Sequence, residues 1–88
     1  MTDSKSTEVW RRIVEIFDEK LQYGFLDKVG AVVQVKVEGS EIHIFVSSED
    51  AFEFFNSEVN QQRLIIFSRT VISLDKVVVH RVDAEPLR

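Results

Sequence analysis

The sequence predicts an α+β fold in which a three-stranded sheet packs against helices. Three observations point there: a helical period of apolar residues from Trp10 to Leu21, a switch to strict alternation after Gly30, and a Val-rich run from Val77 to Val82. Thr7 is the expected first N-cap, because its hydroxyl can accept from an unpaired N–H of the opening turn. Glu8 then sits at the positive end of the helix dipole. Trp10, Ile13, Phe17 and Leu21 recur at spacings of three and four, with Val14 widening the stripe and charged residues mostly on the other side. Phe25, Leu26 and Val29 still repeat helically between Gly24 and Gly30. This predicts a short second helix over 23–29, closed by Gly30 in the left-handed conformation.

From Ala31 the period becomes two. Val33, Val35 and Val37 alternate with Gln34 and Lys36, and Ile42, Ile44 and Val46 alternate with His43 and Phe45. Glu38-Gly39-Ser40 supplies turn chemistry between the runs, so they form an antiparallel hairpin whose Val and Ile face meets a helix. Ser47 and Asp50 have capping-box spacing and open a third helix. Its stripe of Phe52, Phe55, Val59, Leu64, Phe67 and Val71 favours one long helix over about 48–70. The alternative is two shorter helices meeting near Asn60, which would cap the second. The β-branched run after Ser73 is the third strand.

Length bounds the organisation. The chain has 88 residues and one proline, which fits a single domain over 8–82, a tail over 1–7, and a tail or linker stub over 83–88. Without cysteine there is no disulfide, thiolate nucleophile or Cys-based zinc site, so packing alone must hold the domain. No apolar run is long enough to cross a bilayer, and the first residues lack the order of a signal peptide, so a cytoplasmic location is expected. The net charge of −4 opposes a surface built to coat phosphate backbones.

Chemistry-bearing motifs are sparse. Gly24, Gly30 and Gly39 match neither a Walker loop nor a dinucleotide fingerprint, and no GXXG loop is present. His43 and His80 fall on predicted strands and can share a metal with Glu41 only if the strand register brings them together. No metal, cofactor or catalytic residue is assigned. Glu15, Asp18 and Glu19 form an acidic turn, read as a solvated helix face. The aromatics are more informative, since seven Phe, one Trp and one Tyr exceed the needs of so small a core. If helices cover one sheet face only, His43 and Phe45 point outward with Val32 and either Val78 or the Val77 and Val79 pair, leaving a surface for a protein partner. Tyr23, Phe25 and Leu26 form a second candidate patch at the break after the first helix.

The order helix, short helix, hairpin, long helix, strand, with Val9-Trp10-Arg11-Arg12-Ile13 in the first helix, resembles the small KH-like domains of bacterial replication proteins. Gly39 to Val46 and Ala51-Phe52 onward are similar to the N-terminal domain I of the replication initiator DnaA. Asn60 and the Leu64 to Val71 stretch look more like the C-terminal domain of the gamma/tau subunit of the DNA polymerase III clamp loader. Two features depart from the initiator: Gly24-Phe25-Leu26 stands where its second helix has an aromatic-Trp pair, and Ser47-Ser48 replaces its Pro-Asn entry to the third helix.

The resemblance implies a non-catalytic docking module for another replication protein; the aromatic surplus adds self-association as a further expectation, and its placement makes Tyr23, Phe25, Leu26, His43 and Phe45 the candidate contacts. The alternative is a weak single-stranded nucleic-acid binder using Lys28, Lys36, Arg63 and Arg69. A membrane partner is not expected.

Overall fold

The computed structural model describes residues 4–82. Four helices, one 3₁₀ turn and three strands follow in the order α1 (Ser4–Glu19), α2 (Tyr23–Val29), β1 (Val32–Glu38), β2 (Glu41–Val46), α3 (Glu49–Asn56), α4 (Glu58–Phe67), a 3₁₀ turn (Ser68–Thr70) and β3 (Lys76–Arg81). The α+β class is as expected. Strand β2 is central, antiparallel to β1 and parallel to β3, so the α3–α4 segment forms the crossover that a parallel neighbour requires.

Helix α1 begins earlier than the Thr7 cap predicts, and residues 4–7, expected as a tail, are its first turn. The reason is tertiary. Ser6 is fully buried, and its hydroxyl oxygen accepts from the Val37 N–H at 2.8 Å, so the helix start is tied to strand β1. On the exposed side Arg11 bridges Glu8 at 2.5 Å and Glu15 at 2.6 Å, and its guanidinium holds the Glu8 carboxyl below its ordinary pKa. Such solvated pairs add little stability.

The stop comes at Leu21, which has φ of +56° and is 62% exposed rather than part of the core stripe. The Gln22 N–H donates to the Phe17 carbonyl at 2.8 Å and the Leu21 N–H to that of Asp18 at 3.2 Å. This is a Schellman closure with leucine in the position glycine usually takes. Gly30, by contrast, ends α2 with φ of −61° and ψ of −21°, an ordinary right-handed conformation, so its expected left-handed role is not used. The positive-φ glycine is Gly39, at +61° in the hairpin, where it and Ser40 connect the directly opposed Glu38 and Glu41.

The hairpin carries one irregularity. Val32 pairs with Val46, but Gln34 pairs with Phe45, so Val33 is the extra residue of a bulge and is 53% exposed. Beyond the bulge the expected alternation holds, with Val35 buried between exposed Gln34 and Lys36. The bulge also turns Val32 to the core side, opposite buried Val46, instead of outward with His43 and Phe45.

The long helix predicted over 48–70 is two helices broken at Ser57, whose φ of −70° and ψ of 131° are extended. Ser48, not Ser47, caps α3 by accepting from the Ala51 N–H at 3.1 Å. The Ser47 hydroxyl instead donates to the Ala31 carbonyl at 3.3 Å. Asn60 does not cap the second helix: it lies inside α4, and its Nδ2 donates to the Phe54 carbonyl at 2.9 Å, closing the end of α3. The break shifts the helical phase, which leaves Val59 62% exposed while Leu64 is buried. Helix α4 stops at Phe67, where the buried Ser68 hydroxyl donates to the Ile65 carbonyl at 3.1 Å.

The core lies between the helices and one sheet face. Ile13, Phe17, Phe25, Phe55 and Leu64 from four helices meet Val35, Ile42, Ile44, Val46, Val77 and Val79 from the strands. Phe17 stacks on Phe25 with ring centres 4.5 Å apart and meets the edge of Phe67 at 6.1 Å. Trp10 is half-buried and meets Phe55 edge-on at 6.4 Å. Much of the aromatic surplus is therefore core. Burying rings of this size is the largest favourable contribution available to a domain without crosslinks.

Candidate functional site

Two surfaces collect the residues that sequence reasoning singled out. The first is the sheet face away from the helices. Because side chains alternate along a strand, the burial of Ile42, Ile44 and Val46 sets Glu41, His43 and Phe45 on the opposite side, and Val77 and Val79 inward set Val78 and His80 there too. Each of these five is partly exposed, so His43 and Phe45 do face outward, with Val78 rather than Val77 and Val79.

The register gives this face its geometry. Phe45 pairs directly with His80 and stacks on it, with ring centres 4.5 Å apart and planes 14° from parallel. The His43 ring lies nearly parallel to that of His80, 16° apart with ring centres at 5.1 Å, and meets it nitrogen to nitrogen. His43 Nδ1 lies 2.9 Å from His80 Nε2, and His43 Nε2 lies 2.9 Å from Glu41 Oε1. The result is a continuous polar line, Glu41, His43, His80, laid against an aromatic ring. An ionised carboxylate only accepts, so His43 must donate to Glu41 through Nε2. With both rings neutral, His43 Nδ1 then accepts from the His80 Nε2–H.

Glu38 extends the line. It stands directly opposite Glu41 in the hairpin, and one ligand atom each from Glu38, Glu41 and His43 lies within 4.8 Å of the others. Lys36 approaches Glu38 at 3.3 Å and Lys76 approaches Glu41 at 3.8 Å, balancing the two carboxylates. From sequence Glu38 was expected only as a turn residue. Its signal was legible, since residues flanking a tight hairpin turn must face each other.

The second surface lies where α1 meets α2. A groove of about 500 Å³ is lined by Val14, Glu15, Asp18, Glu19 and Leu26. Leu26 and Tyr23 are one turn apart on α2 and share a face, and Tyr23 is 66% exposed. Phe25 does not belong to this surface. It is 2% exposed, stacked on Phe17 and edge-on to Phe54 at 5.0 Å, so the expected contact at Phe25 is a core residue. The three acids, read from sequence as an ordinary solvated face, rim this groove.

The four cations proposed for nucleic acid lie on four different elements, with Lys36 on the sheet face opposite the helices. Lys28 is on α2 beside Asp27 at 3.4 Å, and Lys36 is on the open sheet face beside Glu38. Arg63 is on α4 and Arg69 on the 3₁₀ turn, both on the helical side of the sheet. No protein-family model, curated protein or solved structure matches this chain.

Proposed function

We propose that this chain is a non-catalytic protein-interaction module that docks a basic, amphipathic segment of another protein. The observation that carries the reading is the groove between α1 and α2, where an apolar floor of Val14 and Leu26 is rimmed by Glu15, Asp18 and Glu19. Apolar contact supplies affinity, while the acidic rim steers a cationic partner and rejects anionic ones. A net charge of −4 works in the same direction over longer range. Exposed Tyr23, on the Leu26 face of α2, adds an amphipathic anchor of the type enriched in interfaces. The resemblance to KH-like domains of replication proteins makes clamp-loader and initiator assemblies of bacteria the first partners to test, and a second copy of the chain the next.

The test is partner capture and chemical-shift mapping with the parent chain and two variants, Leu26→Ser and the charge reversal Asp18→Lys. Partner binding that shifts the amide signals of 14–26 and is lost in both variants supports the reading. Binding unaffected by either variant overturns it. Single-stranded DNA, titrated at two salt concentrations, tests the nucleic-acid alternative: measurable affinity that drops steeply with salt would favour it over protein docking.

A further inference from the structure

The open sheet face carries a donor set that docking does not use. We propose that Glu38, Glu41 and His43 form a binding site for a divalent transition-metal ion of the Zn²⁺ class, with His80 as the group that orients His43. The proposal is independent of the groove between α1 and α2.

Placement comes first. Glu38 and Glu41 close the same hairpin, directly opposite each other, and Gly39 with its positive φ holds the turn between them. Like charges so placed repel, and the hairpin tolerates them here beside Lys36 and Lys76. A divalent cation between the carboxylates removes the repulsion more fully than two flexible lysines at 3.3 Å and 3.8 Å.

Geometry comes next. Zinc holds nitrogen and carboxylate oxygen at about 2.0–2.2 Å, which puts neighbouring tetrahedral ligands about 3.3 Å apart. His43 Nε2 and Glu41 Oε1 are already 2.9 Å apart, so they need to open by only a few tenths of an ångström. The third ligand atom lies within 4.8 Å, and Glu38 is an exposed side chain with room to close the remainder. Water fills the fourth position.

The imidazole decides the metal. Carboxylates alone favour Ca²⁺ or Mg²⁺, whereas a ring nitrogen shifts preference toward Zn²⁺, Ni²⁺ and Cu²⁺. A ligating histidine characteristically donates its other ring N–H to an acceptor that fixes its orientation. Here that acceptor is His80 Nε2, 2.9 Å from His43 Nδ1, and the His80 ring is itself held by stacking on Phe45. Metal binding therefore exchanges the tautomers of both rings. His43 gives up its Nε2 proton and takes one at Nδ1 from His80, and His80 takes a proton at its own Nδ1 from water. With both rings neutral at the start, no net proton is released.

The experiment is titration of the tag-free full chain with ZnCl₂ by isothermal calorimetry, with long-range ¹H–¹⁵N correlation of the two histidine rings. One saturating site per chain is expected, with His43 Nε2 at a metal-bound shift and Nδ1 protonated. His43→Gln should abolish the site, and Glu38→Gln and Glu41→Gln should each weaken it more than tenfold. His80→Phe keeps a ring on Phe45 but removes the acceptor, so it should weaken binding by about 10–100-fold without abolishing it. Lys36→Ala should tighten the site by releasing Glu38. Circular dichroism confirms that each variant is folded. The proposal is overturned if Zn²⁺ gives no saturable binding, if His43→Gln binds as the parent does, if Ca²⁺ competes equally with Zn²⁺, or if His80 Nε2 carries the metal-bound shift.

Discussion

Phe25→Ala separates two roles for one residue most sharply. The ring is 2% exposed, stacks on Phe17 at 4.5 Å, meets Phe54 edge-on at 5.0 Å and lies 6.2 Å from Phe55. Truncating a buried Phe costs about 3–5 kcal/mol through lost transfer energy and the cavity left behind. The two close ring pairs, worth about 0.5–1.5 kcal/mol each beyond burial, place this site near the upper end, at about 4 kcal/mol. A chain of 88 residues has total stability of only about 4–13 kcal/mol. The loss therefore removes about 30% of it or more, and lowers the melting temperature by about 16–32 °C for a domain of this size. Differential scanning calorimetry and urea unfolding measure this directly. Because the variant can fall below the folding threshold, Phe25→Leu serves beside it: it retains bulk, loses the ring pairs and should cost about 1–2 kcal/mol. Tyr23→Ala, on an exposed neighbour, should move stability by no more than about 0.5 kcal/mol. The core assignment fails if Phe25→Ala melts like the parent while weakening association with a partner, the behaviour of a surface contact.

Three further substitutions test the backbone and capping arguments. Gly30→Ala should stabilise by about 0.4–1 kcal/mol, because its φ of −61° suits alanine and an added Cβ meets nothing within 4 Å; a loss of stability in urea would contradict the right-handed conformation. Leu21→Gly relieves a φ of +56° at an exposed position and should gain about 0.5–1 kcal/mol; a destabilised variant would show that the leucine side chain has packing value there. Asn60→Asp replaces the donor facing the Phe54 carbonyl with an acceptor, and should cost about 1 kcal/mol even though an acid in the first turn of α4 recovers a few tenths; unchanged unfolding would remove Asn60 as the closure of α3.

Much of the local structure was legible. The stripe containing Ile13 and Phe17, the alternation of Ile42, Ile44 and Val46, and the Val-rich final strand each state a period, and a period is a local property of the chain. Breaks of period were harder to read. Ser57 interrupts α3 and α4 without a proline or glycine to mark it, and its extended backbone is supported by Asn60 reaching back to Phe54, a bond between residues six apart. Similarly, Ser6 and Leu21 depart from expectation because a strand amide captures one and a Schellman closure uses the other.

The sites divide along the same line. Composition and periodicity determined by themselves that an α+β fold would form, that His43 and Phe45 would share a face, and that no phosphate-binding glycine motif was present. Only the tertiary structure decided that Phe25 is core, that Leu26 joins the acids of α1 around one groove, and that His80 comes to 2.9 Å from His43. The last depends on β3 pairing parallel to β2 with Phe45 opposite His80, a register between residues 35 positions apart in the sequence. Alternation says which face a side chain takes, but a one-residue slip of that register would carry His80 to the other face. The register follows from burying Val77 and Val79 beside Ile42 and Ile44, a demand that exists only once the helices have covered that side of the sheet.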